Sequence, residues 1–409
     1  MNGYDGPTLR SVRESAGVPL RRVARQAGMS HGHLSKVERG EPGRPVTPAV
    51  LAAYEKATGV RLTGVAGHDP GAGGGWRRGH LSEARRRTLN AKIAAVAIGG
   101  PLGEQLGRIL DATGRLTVPA RVEPADVVQV ERASQLCTSI DLQYGGGVAD
   151  QMARALLRWA VGLLDTNLDE SVNPGLHAAI GALAQRAGWA AFDADSHEVA
   201  RNLFTVALYA ATHADDADLR AHVIADLAAQ HNYLGYPDDC LQVVRFGAVD
   251  ERIGPPVRMV LAAVKARAYA VRGDVDACRR HIDLAEDAYA DAGSLEGWLG
   301  TVATAANLHA STGHAAATLA RRTNSDAARA DAQRRLTRAI DELDANGHAR
   351  PAALCMAQLA TLYIEAGELT EGAILARRVL DAATGIRSHR LTEHLTMMRT
   401  AAGSRADDP

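Results

Sequence analysis

Residues 20–40, LRRVARQAGMSHGHLSKVERG, decide how the N-terminal part of this chain is read, because they spell two short helices around a tight Gly28-Met29 turn. Val23 and Ala24 supply small apolar packing on the first helix. Gly28 stands where a left-handed turn residue ends that helix, and Ser30 is placed to cap the next. The second helix is expected from His31 to about Arg39. Leu34 and Val37, three apart, form its buried stripe, which turns His31, Gly32, His33, Ser35, Lys36 and Arg39 away from the core. A polar outer face on the second helix of such a pair is what reads a DNA groove.

The wider stretch LRSVRESAGVPLRRVARQAGMSHGHLSKVERGEPGRPVTPAVLAAYEKATGVRL, residues 9–62, resembles the Xre/Cro-like helix-turn-helix family. The resemblance rests on Arg13 and Gly17 at the end of a first helix, Ala24, the Gly28-Met29-Ser30 turn, the run LSKVERG (34–40), and a closing helix over 51–62. It implies that His31, His33, Ser35 and Lys36 face base edges, and that Arg21, Arg22, Arg39 and Arg44 hold phosphates. At Leu20 the chain departs from the family, which commonly has a polar phosphate contact there.

Charge is split in the same sense. Residues 1–90 carry 15 Lys+Arg against 7 Asp+Glu, whereas the other 319 carry 31 against 40, so the overall net charge of −1 hides a basic head on an acidic body. A polyanion is drawn to the head and repelled by the body. With 409 residues and 46% hydrophobic content there is material for two or three domains, but aromatics make up only 4%. Alanine and leucine must do the packing, which favours helices.

Cys137, Cys240, Cys278 and Cys355 are far apart, with no Cys-x-x-Cys pair, so neither a zinc site nor a disulfide framework is suggested. The N-terminus lacks the apolar core of a signal peptide and no segment approaches about 20 uninterrupted apolar residues, so a soluble, cytoplasmic chain without a membrane partner is expected. The fifteen histidines are scattered; His177, His197, His213 and His222 sit among acids without the close pairs of a helical metal site. There is no P-loop, no dinucleotide turn and no nucleophile elbow, so neither an enzyme nor a cofactor is expected.

Residues 64–75, GVAGHDPGAGGG, have the composition of a flexible tether, and a strongly basic segment follows over 76–97. Helices are then expected to about residue 165, broken at Tyr144-Gly145-Gly146-Gly147, with an amphipathic helix over 148–164 packing through Met152, Ala155, Leu156, Trp159 and Leu163.

Beyond this the chain repeats. Small residues recur at Gly188, Ala228, Ala266, Ala306 and Ala360, at separations of 40, 38, 40 and 54, and ARRTNSDAARADA (320–332) reads as the insertion in the last interval. Three residues further on stand His231, Tyr269, His309 and Tyr363. Ala200, Cys240, Cys278 and Gly372 form a second small set, with Thr318 in the fourth unit. Ala or Gly lets two helices of a hairpin touch, and the ring fills the gap to the next hairpin. On this reading Cys240 and Cys278 are small core residues.

These columns, carried by LAAQHNYLGYPDDCLQVV, AYAVRGDVDACRRHIDLAEDA and LATLYIEAGELTEGAILARRVLDAA, resemble stretched tetratricopeptide repeats over residues 183–383. The resemblance implies a right-handed superhelix with a concave groove that includes Trp189, Phe192, Asn232, Arg267 and Asn307. Asn amides clamp the backbone of an extended peptide and Arg267 suits a terminal carboxylate. The expected chain is therefore all-α, with a helix-turn-helix domain over 1–63, a linker over 64–75, a connecting and dimerising region over 76–182, repeats over 183–402 and a disordered tail over 403–409. Head and body together resemble bacterial peptide-sensing regulators, which implies a homodimer on double-stranded, palindromic DNA, switched by a peptide or small molecule. A protein effector docked on the groove, or a scaffold whose head does not bind DNA, are the alternative readings.

Overall fold

The computed structural model describes residues 6–15, 18–41, 45–58, 119–295 and 297–406. Expectations placed on Arg44, on the 64–75 tether, on the basic 76–97 segment and on residues 59–62 and 101–118 lie outside these. The chain divides into two compact units, Met1–Glu83 and Ala84–Pro409, and almost all of the described structure is helical.

In the first unit, α1 (Gly6–Ser15), α2 (Leu20–Gln26), α3 (His31–Glu38) and α4 (Pro48–Thr58) surround a core of Leu9, Val23, Leu34, Val37, Leu51 and Tyr54. Burying side chains of this size stabilises by roughly 1.5–3 kcal/mol each. Gly28 takes φ +63°, and the Met29 N–H reaches back to the Ala24 carbonyl at 2.9 Å. Ser30 then accepts from the His33 N–H at 3.2 Å, the N-cap that its position predicts. The helix stops at Glu38, with Arg39 as its C-cap. Glu38 is buried, which the spacing of apolar residues does not reveal. The Arg13 guanidinium donates to its two oxygens at 2.6 and 2.9 Å, and the Tyr54 hydroxyl donates at 2.6 Å. Leu20 packs, half-buried, against this core.

The second unit opens with α5 (Pro124–Tyr144) and α6 (Gly146–Gly162), followed by a two-residue parallel pairing of Arg121–Val122 with Asn167–Leu168. Helical hairpins follow: α7 (Asn173–Asp193) with α8 (His197–His213), α9 (Ala217–Tyr233) with α10 (Pro237–Gly247), and α11 (Pro255–Arg272) with α12 (Val275–Ala290). After the short α13 (Gly297–Val302) come α14 (Ala305–Thr323) with α15 (Asp326–Ala345), and α16 (Ala349–Ala366) with α17 (Leu369–Ala383). The last helix, α18 (His389–Ala406), packs on α16. Gly188, Ala228, Ala266 and Ala360 are buried near the ends of their helices, and Ala200, Cys240, Cys278 and Gly372 are buried in the partners. All four cysteines are free and buried; desolvation pushes the Cys240 thiol up to about 12.

Four features differ from the sequence reading. The fourth repeat is out of register: Ala306 opens α14 instead of sitting near its end, so His309 and Thr318 do not occupy the expected columns. Ala316 and Ala328, both buried, fill the two small positions. The insertion is the segment around α13, while ARRTNSDAARADA holds the tight turn of the hairpin itself. There Asn324 is left-handed (φ +50°) and Ser325 accepts from the Ala328 N–H. In a helix so rich in alanine, small residues occur at every phase and do not fix one.

The buried face of α6 is Ala149, Ala153, Leu157 and Ala160, with Met152, Leu156 and Trp159 half-buried on its flank. Small residues win this contact because they let α7 come close. Helix α7 runs through the expected 182/183 boundary, and α18 runs through the 402/403 boundary. Finally, the hairpins do not leave an open-ended groove, since the first meets the last. The Arg387 N–H donates to the Tyr144 carbonyl at 2.8 Å, and the Gly147 N–H donates to the Arg387 carbonyl at 2.9 Å. The glycine run expected to be a mere break is the clasp of this closure. A Cβ on Gly146 would lie 2.3 Å from the Ala190 carbonyl oxygen.

Candidate functional site

On α3 the buried residues Leu34, Val37 and Glu38 point inward, so His31, Lys36 and Arg39 are left exposed, and His33 and Ser35 are partly exposed. Arg21 and Arg22 are exposed on α2. The Arg39 guanidinium donates to the Ser35 hydroxyl at 2.7 Å and to Glu41 at 2.8 and 3.0 Å. Ser35, Arg39 and Glu41 therefore share one hydrogen-bond cluster on this face. The rigid support is the Arg13–Glu38–Tyr54 cluster, which ties α1, α3 and α4 together beneath the exposed face. Burial and the Glu38 carboxylate push the Tyr54 hydroxyl well above its ordinary value, and Glu38 raises Arg13 as well. The cluster holds one charge pair and one neutral phenol.

The second unit holds a half-open cavity of about 1050 Å³ whose lining includes Trp189, Asn232, Arg267 and Asn307, four of the five residues expected in the groove. Phe192, the fifth, is core. It is 2% exposed and packs by its edge or face on Trp189 and Tyr233, with ring centroids 5.2 and 4.8 Å away. Asn307 reaches the cavity wall from the start of α14, where its Nδ2 donates to the carbonyls of Thr301 and Val302 at 3.1 and 2.9 Å. Its amide therefore finishes α13, a role that follows from the changed register. Asn232 donates to the Val264 carbonyl at 3.3 Å and leaves its Oδ1 unpartnered.

Other polar residues join them. Gln185 donates to Asp226 at 2.6 Å and lies 3.2 Å from the His222 ring, and Gln358 lies 3.1 Å from His314. Arg350 donates to Asp141 at 2.6 Å, and Arg390 lies over the rings of Trp189, Phe192 and Tyr233 at 5.7, 5.6 and 6.0 Å. Burial pushes Asp226 and Asp141 up and His222 down. His314 is held well below its ordinary value by burial first and then by the positive charge of Arg267, His394, Arg390 and Arg321. Gln185, Asp226, His314, Gln358 and Arg390 belong to no motif in the sequence, where His222 reads as one scattered histidine. The available signal was polar residues such as His222 and Asp226, four apart inside otherwise apolar helices.

Among the described residues, no group of His, Cys, Asp or Glu is arranged to hold a metal ion, and no helix is long and apolar enough to cross a membrane. Residues 6–66 match the family model of a helix-turn-helix domain. No curated protein and no solved structure matches the chain. The match and the exposed α3 face agree: the first unit is a helix-turn-helix domain, the module of a DNA-binding regulator.

Proposed function

We propose that the protein is a sequence-specific transcriptional regulator of the Xre/Cro-like type, acting in the cytoplasm as a homodimer on a palindromic operator. Its hairpin unit, of tetratricopeptide-like character, binds a signal, a peptide or small molecule, that alters DNA binding. The observation that carries the reading is the α3 face, where His31, His33, Ser35 and Lys36 project from a helix capped by Ser30 and anchored below by Glu38. Arg21, Arg22 and Arg39 flank it and suit phosphate contacts.

One such small head offers a limited interface, so a second copy is the source of useful affinity. Exposed Val128, Leu136, Tyr144 and Val148 on the first hairpin of the second unit support an interface between copies. The gathering of Trp189, Asn232, Arg267 and Asn307 around one cavity supports signal binding. A ligand that prefers one curvature of the hairpin array shifts the population of head arrangements that fit two half-sites.

Genome-wide mapping of DNA bound by the full chain tests this reading. The expected result is enrichment of fragments sharing two half-sites with a fixed spacing, lost in a Lys36→Ala/Arg39→Ala double variant. Absence of any enriched fragment, or enrichment unchanged in the double variant, contradicts it.

A further inference from the structure

If the second unit binds a signal, as proposed above, the walls of its cavity restrict the chemistry of that signal. The cavity walls come from α5, α7, α9, α11, α13, α14, α15, α16 and α18, so its two halves are far apart in sequence. The clasp between Tyr144–Gly147 and Arg387 joins the first hairpin to the segment before α18. An extended peptide asks for an open-ended track, whereas about 1050 Å³ bounded by joined ends is the scale of a small-molecule site.

The polar atoms in the wall are unevenly satisfied. Asn232 Oδ1, His222 Nδ1, Gln358 Oε1 and Arg390 Nε are buried and have no hydrogen-bond partner, and Asn232, His222 and Gln358 are each more than nine-tenths buried. Groups left this way are costly unless something enters to meet them. Each buried carboxylate of the wall has a partner on at least one oxygen: Asp141 has Arg350, with its Oδ1 left unmet, and Asp226 has Gln185, while half-buried Glu342 has His309 at 3.2 Å and Glu131 lies exposed. Around His314 the neighbours are Gln358, the His394 ring at 5.9 Å, Arg267, Arg390 and Arg321, the last paired with Glu365 at 2.9 Å. Burial first, and then the positive charge of these neighbours, holds His314 below its ordinary value. Apolar walls lie beside it: Trp189 under Arg390, Met259, and Trp298, whose ring meets His222 at 5.4 Å.

We propose that the cavity binds a small organic anion, its acid group between Arg267 and Arg390 and its flat apolar body along Trp189 and Trp298. Gln358 Oε1 and Asn232 Oδ1, both acceptors, take N–H or O–H groups on the body of the ligand rather than its acid group. The body replaces water on the two indoles. A cation of the same shape meets like charge in the corner and is rejected.

The test uses the full chain and the fluorescent aryl anion 1-anilinonaphthalene-8-sulfonate, with N-phenyl-1-naphthylamine as its uncharged counterpart. The expected result is saturable one-to-one binding of the sulfonate, weakened at least about tenfold in both Arg390→Gln and Arg267→Gln, with less than about threefold change for the uncharged probe. A circular-dichroism melt checks that each variant is folded. A second measurement needs no variant: indole-3-acetate displaces the sulfonate from the wild-type chain and tryptamine does not. Displacement by tryptamine as good as by indole-3-acetate, sulfonate binding indifferent to both arginines in folded variants, or no saturable site at all overturns the proposal. DNA retention is read separately. Charge-selective probe binding that leaves DNA affinity unchanged removes the signalling reading and leaves this one standing.

Discussion

Each unit contains a buried pairing of arginine with carboxylate, and the two pairings differ in reach and in completeness. In the helix-turn-helix unit, Arg13 and Glu38 are 25 residues apart, and Tyr54 supplies a third member, so both carboxylate oxygens are met. In the hairpin unit, Arg350 and Asp141 are 209 residues apart, Asp193 lies 3.6 Å from the same guanidinium, and Asp141 Oδ1 has no partner. The first is a local staple that fixes α3 against α1 and α4. The second joins the two ends of a helical array and leaves one carboxylate oxygen unmet. A satisfied cluster makes a rigid reading face; a partly satisfied one sits where the structure closes.

Cutting the staple gives the largest expected effect. Glu38→Ala strands the Arg13 charge and the Tyr54 hydroxyl in the core and costs about 3–5 kcal/mol. Hydrogen exchange of the α2 and α3 amides reads this as lost protection. Retained protection there would remove the contrast between the units.

Cutting the closure is expected to cost somewhat less. Arg350→Met leaves Asp141 and Asp193 facing each other in the interior, but Asp193 keeps the Gly146 N–H at 2.9 Å and the Ser388 hydroxyl at 2.8 Å. A destabilisation of about 2–4 kcal/mol follows, measured by urea unfolding. Adding Asp141→Leu to Arg350→Met should recover part of the loss, because one stranded charge goes with its former partner. If the double variant is the sum of two independent losses, the pair is not the closure described above.

The smallest effect sharpens the same contrast through pH. The His314 pKa is depressed in the folded chain below its ordinary 6.5, so the folded state binds fewer protons than the unfolded state as pH falls through that value. Stability of the hairpin unit is full above about 6.5 and declines below it, at most by about 1.4 kcal/mol per pH unit for one histidine. Gln358, His394, Arg267, Arg390 and Arg321 all face this ring, and none of them favours its protonation. Buried Asp141 and Asp226 have raised values and act in the opposite sense, so the comparison with a His314 variant is what isolates the histidine. Denaturant midpoints between pH 7.5 and 5.5 should therefore fall for the wild-type chain and fall less for His314→Gln. Parallel profiles would mean that His314 is not the group held neutral.

The same contrast explains what could be read from the chain. Gly28 and Ser30 act within a few residues of themselves, so the turn, the cap and the outward face of α3 follow from spacing. Glu38 does not, because a glutamate becomes a core residue only when Arg13 and Tyr54, from two other helices, reach it. The repeat columns at Gly188, Ala228, Ala266 and Ala360 were legible because small residues there interrupt larger ones. Around Ala306–Ala320 nearly every position is small, and the register was lost. Trp189 and Phe192 look alike in sequence, yet Tyr233 and Arg390 arrive from elsewhere to cover one and frame the other. Ring closure through Arg387 leaves no local mark, except that three successive glycines stand where the clasp comes too close for side chains.

The central claim is that the α3 face binds DNA, and the most direct test is retention of promoter-sized genomic fragments by the full chain across a salt series, wild type beside Lys36→Ala. The wild-type chain should bind with log affinity falling linearly with log salt concentration. Lys36→Ala should bind preferred fragments about 1–3 kcal/mol more weakly and discriminate less among sequences if Lys36 reads a base. Failure of the wild-type chain to retain any fragment at low salt, or identical affinity and discrimination in the variant, would contradict the account.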